Sequence, residues 1–142
     1  MPPVREDTYT AYFDGTCPDN PGPMRIAFVV YDLPGEVMHE LSQDMGTGTI
    51  NTAEYMALIA LLRYLARIRV EEVNIFGDSK LVVNQVNGDW NINQLHLKVL
   101  CKKAQTLMRD HPGWRLQWVP EKANRAHNYA INPLIQNNTS RK

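Results

Sequence analysis

The sequence predicts an α/β fold: a five-stranded mixed sheet with three antiparallel strands first, two crossover strands after them, and helices on both faces. Three strand-like segments separated only by turns open the chain. Helical and strand-like segments then alternate, and such an order requires crossover connections. The length of 142 residues suits a single domain over residues 1–142.

The opening segments predict the antiparallel half of the sheet. Residues 7–16 and 25–32 are rich in Tyr, Phe, Val, Ile and Thr, and the CPDNPGP segment between them is a dense turn signal. Alternating polarity over residues 37–42 predicts a third, half-exposed strand. Gly46 and Gly48 are expected to end that strand.

The longest apolar segment predicts a core helix. Residues 53–68 are rich in strong helix formers and apolar over most of the helix circumference. Asn51 and Glu54 have the spacing of a capping box at its start. Arg63 and Arg67 interrupt the segment, so it does not have the pattern of a membrane span.

A strand, two helices and a second strand follow. Residues 71–76 predict a short buried strand that turns into a helix at Asp78. Apolar residues at helical spacing over 97–108 predict the next helix, which His111-Pro112-Gly113 ends. Both crossovers therefore contain helices.

The last strand is predicted over residues 114–119, with Trp114 and Trp118 in the core. Asn124 is expected to cap a short final helix. The polar composition from about residue 137 to residue 142 predicts a flexible tail.

Composition bounds the function classes. Fifteen Lys plus Arg balance fifteen Asp plus Glu, so any nucleic-acid surface must be a local patch. Cys17 and Cys101 have no CxxC spacing and no signal peptide precedes them, which predicts free thiols in a soluble, cytoplasmic protein. No GxGxxG, Walker or CxxC motif implies a nucleotide cofactor or zinc.

Three acidic residues stand in apolar surroundings: Asp14 in YFDGT, Glu54 in NTAEYMAL and Asp78 in IFGDSK. Carboxylates in apolar surroundings are costly unless a cation or strong hydrogen bonds compensate them. Their repetition predicts a divalent-metal site for phosphodiester chemistry. Each residue alone has an ordinary explanation as a turn or cap residue.

Four motifs then follow one another in a fixed order: DGTCPDNPGP, NTAEYMAL, FGDSKLVVNQVNGDW and WVPEKANRAHNYA. In this combination they resemble the type 1 ribonuclease H (ribonuclease HI) family over almost the whole chain. The resemblance implies a ribonuclease H-like fold in a compact form that lacks the basic protrusion of some bacterial relatives. It implies an endonuclease that hydrolyses the RNA strand of RNA/DNA hybrids with two Mg²⁺ ions and leaves 5′-phosphate and 3′-hydroxyl ends.

The resemblance also implies the metal ligands. Asp14 would bridge both ions, and Glu54 and Asp78 would complete the ion at the leaving group. Asn128 stands where the family normally has a fourth aspartate on the water-activating ion. An Asn offers a carbonyl oxygen to Mg²⁺ or Mn²⁺ but carries no charge, so weaker metal binding and a lower rate are expected.

Substrate contacts are implied near the minor groove and the DNA strand. Relatives often have Asn at the position of Ile50, so this chain lacks part of the implied minor-groove contact. For Trp90, a position in the hydrophobic core is the alternative to a contact with the DNA strand. Lys122, Arg125 and His127 are auxiliary candidates in product release, and the cluster of Lys98, Lys102 and Lys103 is a candidate for hybrid affinity. The implied contact residues are Gly15, Thr16, Cys17, Asn20, Thr49, Asn51 and Trp90.

Two alternatives to the nuclease stay open. One is a weakened or inactive module of the same fold that binds hybrid or double-stranded RNA. The other is a different phosphoryl-transfer enzyme of the same fold, such as a resolvase or part of a polymerase. The expected partner is an RNA/DNA hybrid, with double-stranded RNA as an alternative, no membrane and no obligate protein partner; the resemblance implies a monomer.

Overall fold

A computed structural model describes residues 8–32 and 35–131. The tail predicted for about residues 137–142 lies outside this part of the chain. A short 3₁₀ turn at Glu121–Ala123 precedes the last helix. The strands and helices are β1 (Tyr9–Thr16), β2 (Gly22–Tyr31), β3 (Val37–Gly48), α1 (Ile50–Arg67), β4 (Val73–Gly77), α2 (Lys80–Val86), α3 (Leu95–Arg109), β5 (Trp114–Trp118) and α4 (His127–Ile131).

The five strands form one mixed sheet in the order β3-β2-β1-β4-β5. The pairs β1–β2 and β2–β3 are antiparallel, and β1–β4 and β4–β5 are parallel. Helix α1 packs on β1 and β2 and against α3. On the opposite face, the Ser42 hydroxyl of β3 donates to the Tyr129 carbonyl of α4. The predicted mixed sheet with helices on both faces is confirmed.

The main core lies between the sheet and α1. Phe13 of β1, Ile75 of β4 and Leu58 of α1 are fully buried there. The Tyr55 hydroxyl is also buried and donates to Gln85 Oε1 of α2 at 2.6 Å, so its polar end is satisfied. Burying one such large apolar side chain stabilises the fold by about 1.5–3 kcal/mol. This core fixes α1 against β1.

Strand β3 is longer than the sequence predicted. It continues through Gly46 to Gly48, where Gly48 pairs with Gly22 of β2. The ladder to β2 shifts register between Pro23 and Arg25, and Gly46 takes a φ of 78°. Pairing with the neighbouring strand therefore overrides the tendency of glycine to end a strand.

Helix α1 begins differently from the prediction. Thr49 is its N-cap, and the Thr49 hydroxyl accepts from Thr52 N at 3.3 Å. The predicted capping box of Asn51 and Glu54 is therefore wrong, since the helix already includes Asn51 and the Glu54 carboxylate points to β1. None of the helices in residues 8–32 and 35–131 is long and apolar enough to cross a membrane.

The tryptophans divide between core and surface. Trp114 is buried as predicted, and its indole donates to the Val70 carbonyl. Trp118, expected in the core, is 41% exposed because it ends the edge strand β5, where its ring lies 4.7 Å from the Lys80 ammonium. Trp90 is 48% exposed, which excludes its core alternative.

Candidate active site

Two acidic side chains meet because their strands are parallel neighbours. Asp14 lies near the carboxyl end of β1, and Asp78 directly follows β4. The carboxyl ends of parallel strands lie at the same edge of a sheet, where α/β proteins place their ligand sites. Asp14 is only 2% exposed and Asp78 is half-buried.

Glu54 reaches the same edge from α1. The backbone N–H of Gly15 donates to Glu54 Oε1 at 3.1 Å, and Glu54 is buried. A Cβ on Gly15 would lie 2.4 Å from the carbonyl carbon of Ala53. Only glycine therefore lets β1 and α1 approach closely enough to place Glu54 beside Asp14.

Asn124 holds Asp78 in place. Its side-chain amide donates to Asp78 Oδ2 at 3.0 Å and to the Phe13 carbonyl at 2.9 Å. Its Oδ1 accepts from Ala126 N at 3.0 Å, which forms a turn ahead of α4. The prediction that Asn124 is the N-cap is wrong, because α4 begins at His127. The sequence pattern indicates only a helix cap at Asn124, because Phe13 and Asp78 come close to Asn124 only in the folded chain.

Trp118 fixes the backbone of Asp78 from the other side. The indole Nε1 of Trp118 donates to the Asp78 carbonyl at 3.0 Å. Lys80, two residues after Asp78, lies over the Trp118 ring. The sequence interpretation assigned no site role to Trp118 or Lys80.

An imidazole completes the group of polar side chains. His127 Nδ1 lies 2.8 Å from Asp14 Oδ2, and His127 Nε2 lies 3.0 Å from Glu121 Oε2. One potential ligand atom each from Asp14, Asp78 and His127 lie within 4.8 Å of one another. The sequence suggests His127 only as an auxiliary residue, whereas the structure places it between Asp14 and Glu121.

The structure does not place Asn128 beside the acidic residues, contrary to the expectation from the sequence. Asn128 is exposed and is not among the residues that line the cleft. Ala126 and Ala130, one turn apart, are buried, and Asn128 lies about 200° around the helix from Ala126 at 100° per residue. The side of α4 that faces the sheet therefore presents His127 to Asp14, and Asn128 faces away.

The carboxyl groups are held in a state that resists ionisation. Burial, followed by the charge of Asp78, raises the pKa of Asp14 to about 6, against the pull of His127. Burial, followed by the charges of Asp14 and Asp78, raises the pKa of Glu54 well above its usual range. Burial also raises the pKa of Asp78, although the Asn124 amide opposes this rise. Acidic groups this close together are suited to a cation.

The pKa of the His127 imidazole is also raised, which for this group favours the charged form. Burial lowers the pKa of His127, but the hydrogen bond and charge of Asp14 and the charges of Glu121 and Asp78 outweigh burial, so the pKa is raised. A carboxylate at each ring nitrogen favours the doubly protonated imidazolium. A protonated His127 therefore offsets part of the negative charge of these carboxylates.

A cleft of about 390 Å³ opens over these groups. Three of the expected substrate residues, Gly15, Thr16 and Cys17, line it. The Cys17 thiol is free and buried and donates to the Gly48 carbonyl at 3.4 Å. The lining residues are Asp14, Gly15, Thr16, Cys17, Pro18, Ile50, Glu54, Asp78, Glu121, His127 and Ile131.

Other expected contact residues flank the start of α1 or lie elsewhere. Asn20 Oδ1 accepts from Ile50 N at 3.0 Å, which places Asn20 beside Thr49 and Asn51 at the helix N-terminus. Trp90 is exposed after α2 and does not line the cleft.

The expected basic residues also lie outside the cleft. Lys122 is exposed in the 3₁₀ turn, and the Arg125 guanidinium lies over the Tyr31 ring at 5.1 Å. Lys98 is exposed on α3. Lys102 and Lys103 of that helix line a separate groove with Arg63.

The fold and this site can be compared with known proteins. The family described as "Reverse transcriptase-like" matches residues 12–132. The structure resembles RNase H1 from the halophilic archaeon Halobacterium salinarum with a TM-score of 0.84 and 34% identity, covering 90% of this chain and 98% of that one. The chain belongs to the type 1 ribonuclease H family.

Two further solved ribonucleases H have a similar fold. The N-terminal RNase H domain of the Mycobacterium tuberculosis protein Rv2228c has a TM-score of 0.83 and 31% identity, and covers 95% of this chain and 99% of that chain. LC11-RNase H1, solved in complex with an RNA/DNA hybrid, has a TM-score of 0.80 and 31% identity. The match covers 90% of this chain and 99% of that chain. Among curated sequences, the Ribonuclease HI of Halobacterium salinarum is 34% identical over 86% of this chain, and the chain spans 61% of that relative.

The donor set at this ribonuclease H site fits a hard divalent cation. Asp14, Glu54 and Asp78 supply carboxylate oxygens, which suit Mg²⁺ and Mn²⁺. Burial raises the pKa values of all three, neighbouring carboxylates add to the rise at Asp14 and Glu54, and a bound cation would favour the ionised forms. The imidazole of His127 adds a nitrogen donor, which a fourth carboxylate would not provide.

Proposed function

We propose that this protein is an endoribonuclease that hydrolyses the RNA strand of RNA/DNA hybrids. The cluster of Asp14, Glu54 and Asp78 at the edge of a ribonuclease H sheet carries the proposal. The likeness to LC11-RNase H1, whose structure contains an RNA/DNA hybrid, supports the choice of substrate. Because the cluster belongs to one chain, we also propose that the protein acts as a monomer.

The three carboxylates would hold two divalent ions with the substrate, either Mg²⁺ or Mn²⁺. Asp14 would contribute to holding both ions, and Glu54 and Asp78 would hold the ion at the leaving group. Such ions lower the pKa of water and stabilise charge on the leaving oxygen. Attack by water on the phosphorus with departure of the 3′-oxygen leaves a 5′-phosphate and a 3′-hydroxyl.

The surrounding residues keep the ligands in fixed positions. The Gly15 N–H orients Glu54, while Asn124 and Trp118 fix the side chain and the backbone of Asp78. Ligands that are already oriented lose little freedom when an ion binds. The placement of these acidic side chains thus favours cation binding even without substrate.

The N-terminus of α1 is the proposed substrate surface beside the ligands. Backbone N–H groups there favour a phosphate, which suits Thr49 for a contact to the DNA strand. Asn20 and Asn51 flank the same position and are proposed to read the sugar edge, where the 2′-hydroxyl identifies RNA. Exposed Trp90 offers its ring for stacking beside a sugar.

Cleavage of a hybrid with an end-labelled RNA strand tests the proposal in Mg²⁺ and in Mn²⁺. We expect cuts in the RNA strand only, with products that carry 5′-phosphates. Asp14→Asn and Asp78→Asn should reduce the rate at least 100-fold, a scale typical of lost transition-state charge stabilisation. Asp110→Asn, the same exchange at an exposed residue that ends α3, is the matched control and should cut at the wild-type rate.

Three substrates separate the competing functions. A protein that binds hybrid or double-stranded RNA without cutting either in Mg²⁺ or Mn²⁺ is a binding module, and the proposal fails. A protein that cuts double-stranded DNA as fast as hybrid belongs to another phosphoryl-transfer class of this fold. Cutting of hybrid that persists in Asp14→Asn would place the active site elsewhere.

A further inference from the structure

The fourth side chain at the site is an imidazole between two carboxylates. His127 Nδ1 faces Asp14 Oδ2 at 2.8 Å, and His127 Nε2 faces Glu121 Oε2 at 3.0 Å. A carboxylate behind the outer nitrogen of a histidine is the usual arrangement around a metal-binding imidazole. The His127 side chain is 30% exposed and lines the cleft.

We propose that His127 Nδ1 is the fourth metal ligand of this site, that Glu121 orients it, and that this imidazole makes the site favour Mn²⁺ over Mg²⁺. The proposal rests on the proposed function, because it assumes that Asp14 and Asp78 hold a divalent ion. It replaces the ligand role that the sequence suggested for Asn128.

The geometry directs one ring nitrogen into the site and the other toward Glu121. Nδ1 lies 2.8 Å from Asp14 Oδ2, and Nε2 lies 3.0 Å from Glu121 Oε2. A ligating imidazole is neutral, so an ion would bind Nδ1 while the Nε2–H donates to Glu121 and keeps the ring facing Asp14.

Ligand chemistry decides the preference. Carboxylate oxygens suit both Mg²⁺ and Mn²⁺, whereas a nitrogen donor shifts affinity toward first-row transition metals. An imidazole in place of a fourth carboxylate also removes one negative charge from the site. This loss weakens Mg²⁺ binding most, because Mg²⁺ gives up its water shell reluctantly and needs charged oxygen ligands to do so. Glu121 is 68% exposed, so its contribution is orientation of the ring rather than a strong field.

Electron paramagnetic resonance of bound Mn²⁺ tests the ligand directly. Spin-echo modulation detects a nitrogen bonded to the ion, and histidine labelled with the heavy nitrogen isotope assigns that nitrogen to an imidazole. We expect modulation in the wild type and in Asn128→Asp, and none in His127→Asp. His96→Asp, an exposed histidine at the start of α3, is the matched control and should retain the signal.

Calorimetric titration of Mn²⁺ and Mg²⁺ provides the second measurement. His127→Asp should narrow the ratio of Mn²⁺ to Mg²⁺ affinity by about 10-fold, and Glu121→Ala should weaken Mn²⁺ binding by about 10-fold. Glu121→Gln retains an acceptor oxygen and should recover part of that loss. Circular dichroism checks that each variant is folded.

The outcomes separate the two proposals. Mn²⁺ that binds without nitrogen modulation, while hybrid is still cut, overturns the role of His127 and leaves the nuclease intact. Modulation that survives in His127→Asp but disappears in another histidine variant overturns it as well. Absence of both Mn²⁺ binding and hybrid cleavage rejects the nuclease proposal itself.

Discussion

At the scale of single residues, the site depends on groups that touch no substrate. Asn124 connects β1, the residue after β4 and the start of α4 through Phe13, Asp78 and Ala126. All three bonds involve one buried amide side chain, which is 5% exposed. A buried network of this kind is costly to leave partly satisfied, so Asn124 combines structural and positioning roles.

Asn124→Ala removes these bonds together. It leaves the Phe13 carbonyl without its side-chain partner and frees Asp78 to turn, so we expect a loss of about 1–3 kcal/mol in the free energy of unfolding. Metal affinity should fall by about 10-fold or more. Urea unfolding and Mn²⁺ titration measure the two effects.

Asn124→Asp separates the roles. It keeps the oxygen that accepts from Ala126 N but has no N–H for Phe13 or Asp78, and it adds a charge beside Asp78. Recovery of full stability and metal affinity in this variant would contradict the structural and positioning roles assigned to the Asn124 amide.

Gly15 tests how closely β1 must approach α1. Gly15→Ala places a Cβ 2.4 Å from backbone of α1, and we expect a cost on the order of 1–3 kcal/mol because that backbone must shift. Glu54 moves with it, so metal affinity should fall too. Gly46→Ala is the comparison: it has open space around its Cβ but a φ of 78°, and should cost about 1 kcal/mol with metal affinity unchanged. Equal metal affinities in both variants would argue against the role of this contact.

At the scale of elements, the sequence predicted what periodicity encodes. The strands and the core helix α1 follow from patterns of period two and 3.6. The shared site of Asp14 and Asp78 was implied by the repeated acidic residues and by the family resemblance, and the parallel pairing of β1 with β4 brings the two together. The continuation of β3 through Gly46 depends on its partner strand, which the local sequence does not contain.

The last helix shows where sequence spacing fails. Family spacing pointed to Asn128, but the path from β5 through the 3₁₀ turn and Asn124 sets the start of α4 and hence its rotation. Ala126 and Ala130 mark the buried side, and that side favours His127 over Asn128. The pair of alanines one turn apart was the available signal, and it depends on knowing that α4 packs on the sheet.

The N-terminus of α1 gives a prediction at this scale. Thr49→Ala removes the oxygen that accepts from Thr52 N, and we expect a loss of about 1 kcal/mol in the free energy of unfolding. Asn51→Ala should change stability by less than half as much, since Asn51 lies inside the helix and does not cap it. Urea unfolding without substrate makes the comparison. The reverse order of the two losses would restore the capping box at Asn51.

At the scale of the whole molecule, balanced charges conceal an uneven distribution. The net charge is zero, yet three carboxylates face one another at one edge of the sheet. Folding therefore brings together like charges that the unfolded chain keeps apart, and the fold bears that repulsion at the site. The free energy of unfolding should therefore depend on pH and on bound metal ions.

This gives a prediction with a defined sign. Asp14 has a pKa of about 6 in the folded protein against an ordinary value of 3.8, so from about pH 4 to pH 6 the folded state binds more protons than the unfolded state. Stability must then fall as pH rises through this window, by up to about 3 kcal/mol from Asp14 alone. The raised pKa of His127 extends the fall above about pH 6.5, because stability from a protonated imidazole is lost as pH rises through its folded pKa.

Thermal or urea unfolding in EDTA between pH 4.5 and pH 8 measures this slope. Mn²⁺ at a concentration 100 times its dissociation constant should restore about 2.7 kcal/mol at pH 7.5 and much less at pH 4.5, where protons compete for the ligands. Asp14→Asn should flatten the slope, because its amide does not titrate, and should abolish most of the gain from Mn²⁺. A metal-free protein that becomes more stable from pH 4.5 to pH 7 would mean that the carboxylates are not held together in solution as they are in this structure.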